Sequence, residues 1–140
     1  MKLDVSSFEK AIHQLENALA YCDSDLAKQD TQLALHLRAG AIQAFEFTYE
    51  LSIKLLKRYL EMTAPSTAAI DELSFNDLIR TGCEKGLLRS ELAVWKAYRK
   101  ERGTTSHTYD EEKAEAVFED IPDFLEDAKF LLAQLKQRSV

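Results

Sequence analysis

The segment from Arg102 to Tyr109, which reads Arg-Gly-Thr-Thr-Ser-His-Thr-Tyr, concentrates reactive side chains in this 140-residue chain. It brings the guanidinium of Arg102, the imidazole of His107 and the phenol of Tyr109 within eight positions. A guanidinium can bind a phosphate through parallel hydrogen bonds, and an imidazole can transfer a proton near neutral pH. The pattern therefore indicates chemistry on a phosphodiester.

Cleavage of RNA without a metal ion requires few groups. A base removes the proton of the 2′-hydroxyl, a cation stabilises charge on the phosphoryl oxygens, and an acid protonates the leaving oxygen. We expect Arg102 to stabilise the charge and His107 to act as base or acid. One histidine cannot easily do both, so we also expect a symmetric homodimer with two copies of the segment in one cleft. The alternative is that both residues only cap helices or lie at the surface.

Two predicted helices flank this segment. The first extends from Ser90, its expected N-cap, to Glu101 and stops at Gly103. The next begins near Thr108, where Thr108 and Glu111 have the spacing of a capping box. Because the backbone amides at the start of a helix are unpaired, they would offer a binding site for an anion beside the reactive side chains.

The rest of the chain also has helical periodicity. Apolar residues three and four positions apart predict a first helix from about Val5 to Cys22 and a long second one from about Thr31 to Glu61. A short helix is predicted from Ser74 to Lys85. A seven-residue apolar repeat extends the last helix to the C-terminus, and Pro122 is expected to kink it or to begin a new first turn.

These elements predict one all-α domain spanning residues 1–140, an antiparallel four- or five-helix bundle with up-down topology. No segment has the alternation that is typical of a strand. The apolar stripes on the first and last helices fit a bundle core, and they would equally fit a partner subunit. Trp95 and Tyr98 are expected in the core or an interface rather than in a base-stacking platform.

Charge is distributed unevenly along the chain. The net charge of −6 argues against a surface coated for nucleic-acid binding. Lys96, Arg99 and Lys100 nevertheless form a basic cluster just before Arg102, and we expect RNA or a nucleotide to contact them. Nine acidic residues and one lysine follow between Asp110 and Asp127. The alternative reading of both clusters is solvated helix faces.

The cysteines and the apolar runs limit the other possibilities. Cys22 and Cys83 are solitary, without the spacing of a metal site or a disulfide framework, so we expect no metal, no cofactor and a cytoplasmic location. No apolar run approaches the roughly 20 residues that a membrane span requires. His13 and His36 lie on predicted helices without paired ligands and are expected to be structural or solvated.

The order Arg102, four residues, His107, one residue and Tyr109 resembles the Arg-x4-His-x-Tyr motif of HEPN-family ribonuclease toxins. Thr-Ser-His-Thr-Tyr-Asp is similar to the same segment of small bacterial nucleotidyltransferase substrate-binding proteins. The long-helix segment Gln-Ala-Phe-Glu-Phe-Thr-Tyr-Glu, which begins at Gln43, and the Trp95-x-x-Tyr98 approach agree with that family. The resemblance therefore covers most of the chain. Many HEPN proteins carry a polar residue, often Asn, after the motif arginine, whereas this chain has Gly103.

The resemblance implies a helical-bundle dimer encoded beside a minimal nucleotidyltransferase. In its toxin–antitoxin form, the chain would be a metal-independent ribonuclease in which Arg102 and His107 carry catalysis. The partner nucleotidyltransferase would silence it by transferring AMP to Tyr109. A different reading of the same family makes the chain a noncatalytic subunit that presents a substrate to the nucleotidyltransferase.

Overall fold

Seven helices and no strand make up the part of the chain that the computed structural model describes, residues 3–105 and 110–138. In chain order the helices are α1 (Ser6–Cys22), α2 (Asp25–Gln29), α3 (Thr31–Thr63), α4 (Thr67–Asp71), α5 (Phe75–Glu84), α6 (Leu92–Thr104) and α7 (Glu111–Arg138). The predicted all-α fold class is confirmed. The two short helices, α2 and α4, lie in the connections that precede and follow the long helix α3.

Contacts between the long helices give the bundle its up-down order. Glu9 and Glu16 of α1 pair with Lys136 and Lys129 of α7, so these two helices run antiparallel. Along α3, Arg38 pairs with Glu111 and Phe45 packs against Phe124, so α3 and α7 point the same way. Helices α1 and α6 point in the opposite direction. The chain therefore folds as an up-down-up-down bundle of α1, α3, α6 and α7, with α5 packed against α3 and α6.

An aromatic cluster fills the centre of this bundle. The Phe124 ring of α7 lies edge-on to Phe45 of α3, 5.0 Å between ring centroids, and edge-on to Tyr98 of α6 at 5.2 Å. Trp95 is fully buried beside them and stacks edge-on against Tyr98. Edge-to-face pairs of this kind add about 0.5–1.5 kcal/mol each beyond burial of their area. Trp95 and Tyr98 are thus core residues, as the sequence favoured.

The heptad positions of α7 are all buried. They are Ala114, Val117, Ile121, Phe124, Ala128, Leu131 and Leu135. Pro122 does not begin a new helix, because α7 continues through it. Proline removes one backbone hydrogen bond, whereas burial of its neighbours Ile121 and Phe124 contributes about 1.5–3 kcal/mol for each side chain. The apolar repeat therefore dominates the local effect of the proline.

The two ends of α6 and the start of α7 differ from their predicted positions. Gly103 does not stop α6, which continues through Thr104 with no positive backbone φ at Gly103. Ser90 does not cap α6 either, since the N-cap is Glu91 and the Ser90 hydroxyl donates to Asp127 instead. At the other end α7 begins at Glu111, and the predicted cap Thr108 lies outside the described residues.

None of the helices described here combines the length and the apolar character that crossing a bilayer would require.

Candidate functional site

Helix α6 carries Arg102 and is fixed at its middle by a buried carboxylate. Asp127 of α7 is 1% exposed, and it accepts hydrogen bonds from the Tyr98 hydroxyl, from Ser90 Oγ at 2.7 Å and from Arg89 Nε at 3.0 Å. Burial and the adjacent Asp127 carboxylate raise the pKa of Tyr98 well above its usual range, so the phenol stays a donor. The network holds α6 in one register on α7 and thereby sets the position of Arg102.

Arg102 lies in the last turn of α6 and contacts two glutamates of α3. Its Nε donates to Glu50 Oε1 at 3.0 Å, and its Nη2 lies 2.5 Å from the same oxygen. Nη2 is also 3.4 Å from Oε1 of Glu46. Both carboxylates favour the charged guanidinium and raise the pKa of Arg102 further above its ordinary value, the hydrogen bond to Glu50 most strongly. The arginine is therefore a permanently charged group held at a defined place.

Thr105 completes the support of this arginine. Its buried hydroxyl lies 2.8 Å from Glu46 Oε2 and 2.8 Å from the Arg102 carbonyl oxygen, and it is 3.4 Å from Arg102 Nη1. The hydroxyl has one proton to donate and lone pairs to accept the guanidinium N–H. Thr105 thus connects Glu46, the end of α6 and the guanidinium in one cluster.

The second half of the motif lies outside the described residues. His107, proposed from the sequence for proton transfer, and Tyr109, proposed as an AMP acceptor, both belong to residues 106–109. The described chain resumes at Asp110, whose Oδ1 accepts from the amide of Glu112 at 3.0 Å and so caps α7. Glu111 pairs with Arg38 of α3 through two hydrogen bonds of 3.0 and 3.1 Å. The described chain is therefore anchored to α3 on each side of residues 106–109.

The three remaining basic candidates are exposed on α6. Lys96 and Lys100 are four positions apart and therefore share a helix face. Arg99 lies with its guanidinium carbon 4.5 Å from the centre of the Phe75 ring, a cation–π contact that fixes this side chain against α5. The three cations thus extend along the helix that carries Arg102 in its last turn, and all are accessible to an anionic ligand.

Glu46, Glu50 and Thr105 were not singled out from the sequence as site residues. The two glutamates belong to the segment that begins at Gln43, and their spacing of four puts them on one face of α3. The spacing of four predicts that the two glutamates share a face. It does not identify their partner, because Arg102 is 52 positions away from Glu50 and the contact depends on how α3 packs against α6.

A second carboxylate pair lies beside the site. Burial and a hydrogen bond with Asp120 raise the pKa of Glu101 to about 9. No donor from the described residues reaches the buried Oε2 of Glu101. The raised pKa favours the protonated form of Glu101 at neutral pH, which can share its proton with the Asp120 carboxylate of α7.

We expect Glu101→Gln to stabilise the protein only at higher pH. The pKa of Glu101 in the folded state, about 9, lies above the ordinary value of 4.5. The free energy of unfolding therefore decreases as pH rises between those two values. Because Glu101 is only half-buried, solvent screening reduces the effect, and a neutral amide should raise the free energy of unfolding by about 1–2 kcal/mol at pH 8 and leave it nearly unchanged at pH 4. Urea unfolding at both pH values tests this. An equal effect of the substitution at both pH values would contradict a protonated Glu101.

Within residues 3–105 and 110–138, no three His, Cys, Asp or Glu side chains are grouped so that they could hold a metal ion. Cys22 and Cys83 are both half-buried, and burial raises the pKa of each thiol. The chemistry of the described site is therefore that of a positioned guanidinium with two carboxylates and a hydroxyl.

Comparisons with known proteins agree on one family. A family model described as nucleotidyltransferase substrate binding protein like matches residues 3–137. A probable ribonuclease HepT from Haemophilus influenzae is 43% identical over 141 aligned positions, which cover 99% of this chain and 95% of that protein.

Two solved structures have the same fold. One, from Haemophilus influenzae and described as the fold of a substrate-binding domain of a nucleotidyltransferase, has a TM-score of 0.88 and 40% identity, covering 95% of this chain and 99% of its own. Another, from Thermus thermophilus, has a TM-score of 0.70 and 31% identity, covering 91% of this chain and 98% of its own.

Proposed function

Because the chain belongs to the family of nucleotidyltransferase substrate-binding-like proteins, we propose that it is a HEPN-type ribonuclease, the toxin of a toxin–antitoxin pair. The observation that carries the proposal is the geometry of Arg102, a guanidinium supported by Glu46, Glu50 and Thr105 at the end of α6. The likeness to a probable ribonuclease over nearly the whole chain supports the same activity.

The proposed reaction is a transfer within the RNA chain. A base takes the 2′-hydroxyl proton, the 2′ oxygen bonds to phosphorus, and the bond from phosphorus to the 5′ oxygen breaks as an acid protonates that oxygen. The products are a 2′,3′-cyclic phosphate and a 5′-hydroxyl. Arg102 stabilises the charge on the phosphoryl oxygens, and His107 is the base or the acid. No step requires a metal ion or an oxidant.

We propose a homodimer because one His107 cannot readily supply both proton transfers. An open apolar groove of about 400 Å³ between α1 and α3 supports this, since Tyr21, Leu37 and Ala44 line it. Phe47 is 54% exposed and lies with Gly40 and Ala44 on the side of α3 that faces α1, so it extends this apolar surface. The proposed dimer has its second copy on this groove and its two Arg102 side chains in one cleft. The solution mass should then be twice 16.0 kDa.

Lys96, Arg99 and Lys100 are the proposed RNA contacts. They are exposed on the helix that carries Arg102, and each can neutralise a phosphate of a bound strand. The chain carries a net charge of −6, so affinity for RNA has to come from this local cluster and should fall steeply with salt.

The proposed regulator is a minimal nucleotidyltransferase from a neighbouring gene. Transfer of AMP from ATP to the Tyr109 oxygen, with release of pyrophosphate and of the phenol proton, adds a negative phosphate and a bulky nucleotide two residues from His107. That charge would repel the RNA backbone, and the nucleotide would occupy the space it needs. The family description, which names a nucleotidyltransferase, supports this partner.

The first test is RNA cleavage by the purified dimer in EDTA. We expect fragments that end in 2′,3′-cyclic phosphate, and we expect His107→Ala to abolish them. His13→Ala is the matched control, because His13 is an exposed histidine on α1. Cleavage that survives His107→Ala, or that disappears with EDTA in the unmodified protein, would contradict the proposed roles.

The second arm of the same experiment adds the neighbouring nucleotidyltransferase and ATP. Cleavage should stop as Tyr109 gains the mass of AMP, and Tyr109→Phe should remain active and unlabelled. Label on another residue, or silencing of Tyr109→Phe, would contradict Tyr109 as the acceptor.

The alternative function is a noncatalytic substrate-binding subunit of a two-component nucleotidyltransferase. The solved relative described as a substrate-binding domain favours it. It predicts a stable complex with the nucleotidyltransferase and no RNA cleavage under any condition, so the EDTA experiment separates the two functions.

A further inference from the structure

The two glutamates that hold Arg102 are bound in different ways. Glu46 is fixed from two sides, since its Oε2 lies 2.8 Å from the Thr105 hydroxyl and its Oε1 lies 3.4 Å from the guanidinium. Glu50 has an exposed side chain, 55% accessible, and Arg102 is its partner among the described residues. Rotation of Glu50 into solvent therefore costs only an exposed ion pair, whereas displacement of Glu46 also breaks the Thr105 contact.

Glu50 also covers the part of Arg102 that an oxyanion would use. Nε and Nη2 form one of the two edges at which a guanidinium binds a phosphate through parallel hydrogen bonds, and both nitrogens contact Glu50 Oε1. The other edge faces Glu46 and Thr105 at 3.4 Å. A phosphate that approaches Arg102 thus meets one positive and two negative charges, and it must displace a carboxylate to gain a bidentate contact.

We propose that Glu50 and the RNA phosphate compete for the Nε–Nη2 edge of Arg102, while Glu46 is a positioning residue that holds the guanidinium in both states. This inference rests on the proposed ribonuclease function. When RNA binds, Glu50 rotates into solvent and the phosphate takes its place. Glu46 and Thr105 then keep the opposite edge oriented, so the positive charge does not move away with the leaving carboxylate.

The same substitution should therefore have different effects at the two glutamates, although they share a helix face. It should increase RNA affinity at Glu50 and decrease kcat at Glu46. Glu50→Gln weakens the competitor and should lower the Kd for a 2′-deoxy oligonucleotide, which lacks the attacking hydroxyl and cannot be cleaved, by about two- to fivefold, the range expected for an exposed ion pair. KM should fall in parallel, with little change in kcat. Glu46→Gln should instead lower kcat several-fold, because the guanidinium is no longer held in line with the phosphate.

Three control variants distinguish direct competition for Arg102 from a general effect of removing a negative charge. Glu115→Gln removes one exposed carboxylate of α7, away from Arg102 in sequence, and should leave Kd within the experimental error. Glu50→Asp keeps the charge but shortens the side chain, so it should raise affinity as Glu50→Gln does. In an Arg102→Ala background, Glu50→Gln should have no effect on Kd.

Fluorescence anisotropy with the labelled 2′-deoxy oligonucleotide, steady-state cleavage and thermal unfolding are measured for every variant. Equal affinities of Glu50→Gln and the unmodified protein, or a gain that persists without Arg102, would overturn the competition. If the loss of kcat in Glu46→Gln is fully explained by a smaller folded fraction in thermal unfolding, Glu46 has no positioning role. If the unmodified protein neither cleaves nor binds RNA, the ribonuclease function itself fails, which is a different outcome from an unmodified protein that cleaves while Glu50→Gln gains nothing.

Discussion

Arg102→Lys is expected to lower kcat for RNA cleavage by about a hundredfold or more, although a positive charge is retained. Lysine presents a compact ammonium group and cannot make parallel hydrogen bonds to two phosphoryl oxygens. It also lacks the nitrogens that contact Glu50 and Glu46 simultaneously in this structure. The lost interaction is strongest in the transition state, where charge on the phosphoryl oxygens is largest, so kcat should fall more than KM rises.

Cleavage rates in EDTA under single-turnover conditions measure this effect. Arg99→Lys is the matched control, because Arg99 is an exposed arginine three positions away whose guanidinium lies on the Phe75 ring. It should change salt dependence and affinity slightly and leave kcat within about twofold. A similar loss in both variants would mean that the cations act by bulk charge, and Arg102 would then have no particular catalytic role.

Asp127→Ala is expected to destabilise the fold by about 2–4 kcal/mol, the largest effect predicted for a residue outside the reactive segment. The substitution leaves the buried Tyr98 hydroxyl and the half-buried Ser90 hydroxyl without their acceptor. Arg89 is 46% accessible and can return to water, so no cation is stranded in the core, and the cost stays below that of an isolated buried charge.

Urea unfolding at pH 7 gives the free energy directly, and thermal unfolding should show a decrease in Tm of about 10 °C. Asp123→Ala is the control, because Asp123 lies in the same groove between α6 and α7 but is exposed, and it should change stability by less than about 0.5 kcal/mol. If both substitutions have the same small effect, the Asp127 network does not determine the register of α6.

Much of the fold could be predicted from local spacing. The seven-residue repeat that begins at Ala114 is buried at every position, and Phe8, Ile12 and Leu15 of α1 are buried as their spacing indicated. These predictions hold because helical periodicity is a property of neighbouring residues, and burial of an apolar stripe dominates local effects such as the one proline in α7. The helix ends were less predictable, since Gly103 is compatible with helical backbone and does not have to terminate it.

Local spacing and residue types were enough to predict the all-α class, the helical stripes, the motif Arg102–His107–Tyr109 and the basic cluster before it. The packing of the helices was needed to show that Glu46 and Glu50 hold the motif arginine, and that Ser90 binds Asp127 instead of capping α6. The physical reason is that a helix stripe depends on residues three and four positions apart, whereas an ion pair across 52 positions depends on the register between two packed helices. That register is set by the contact of Trp95 with Tyr49, which links α6 to α3, and by the buried contacts of Tyr98 with Phe124 and Asp127, which fix α6 on α7.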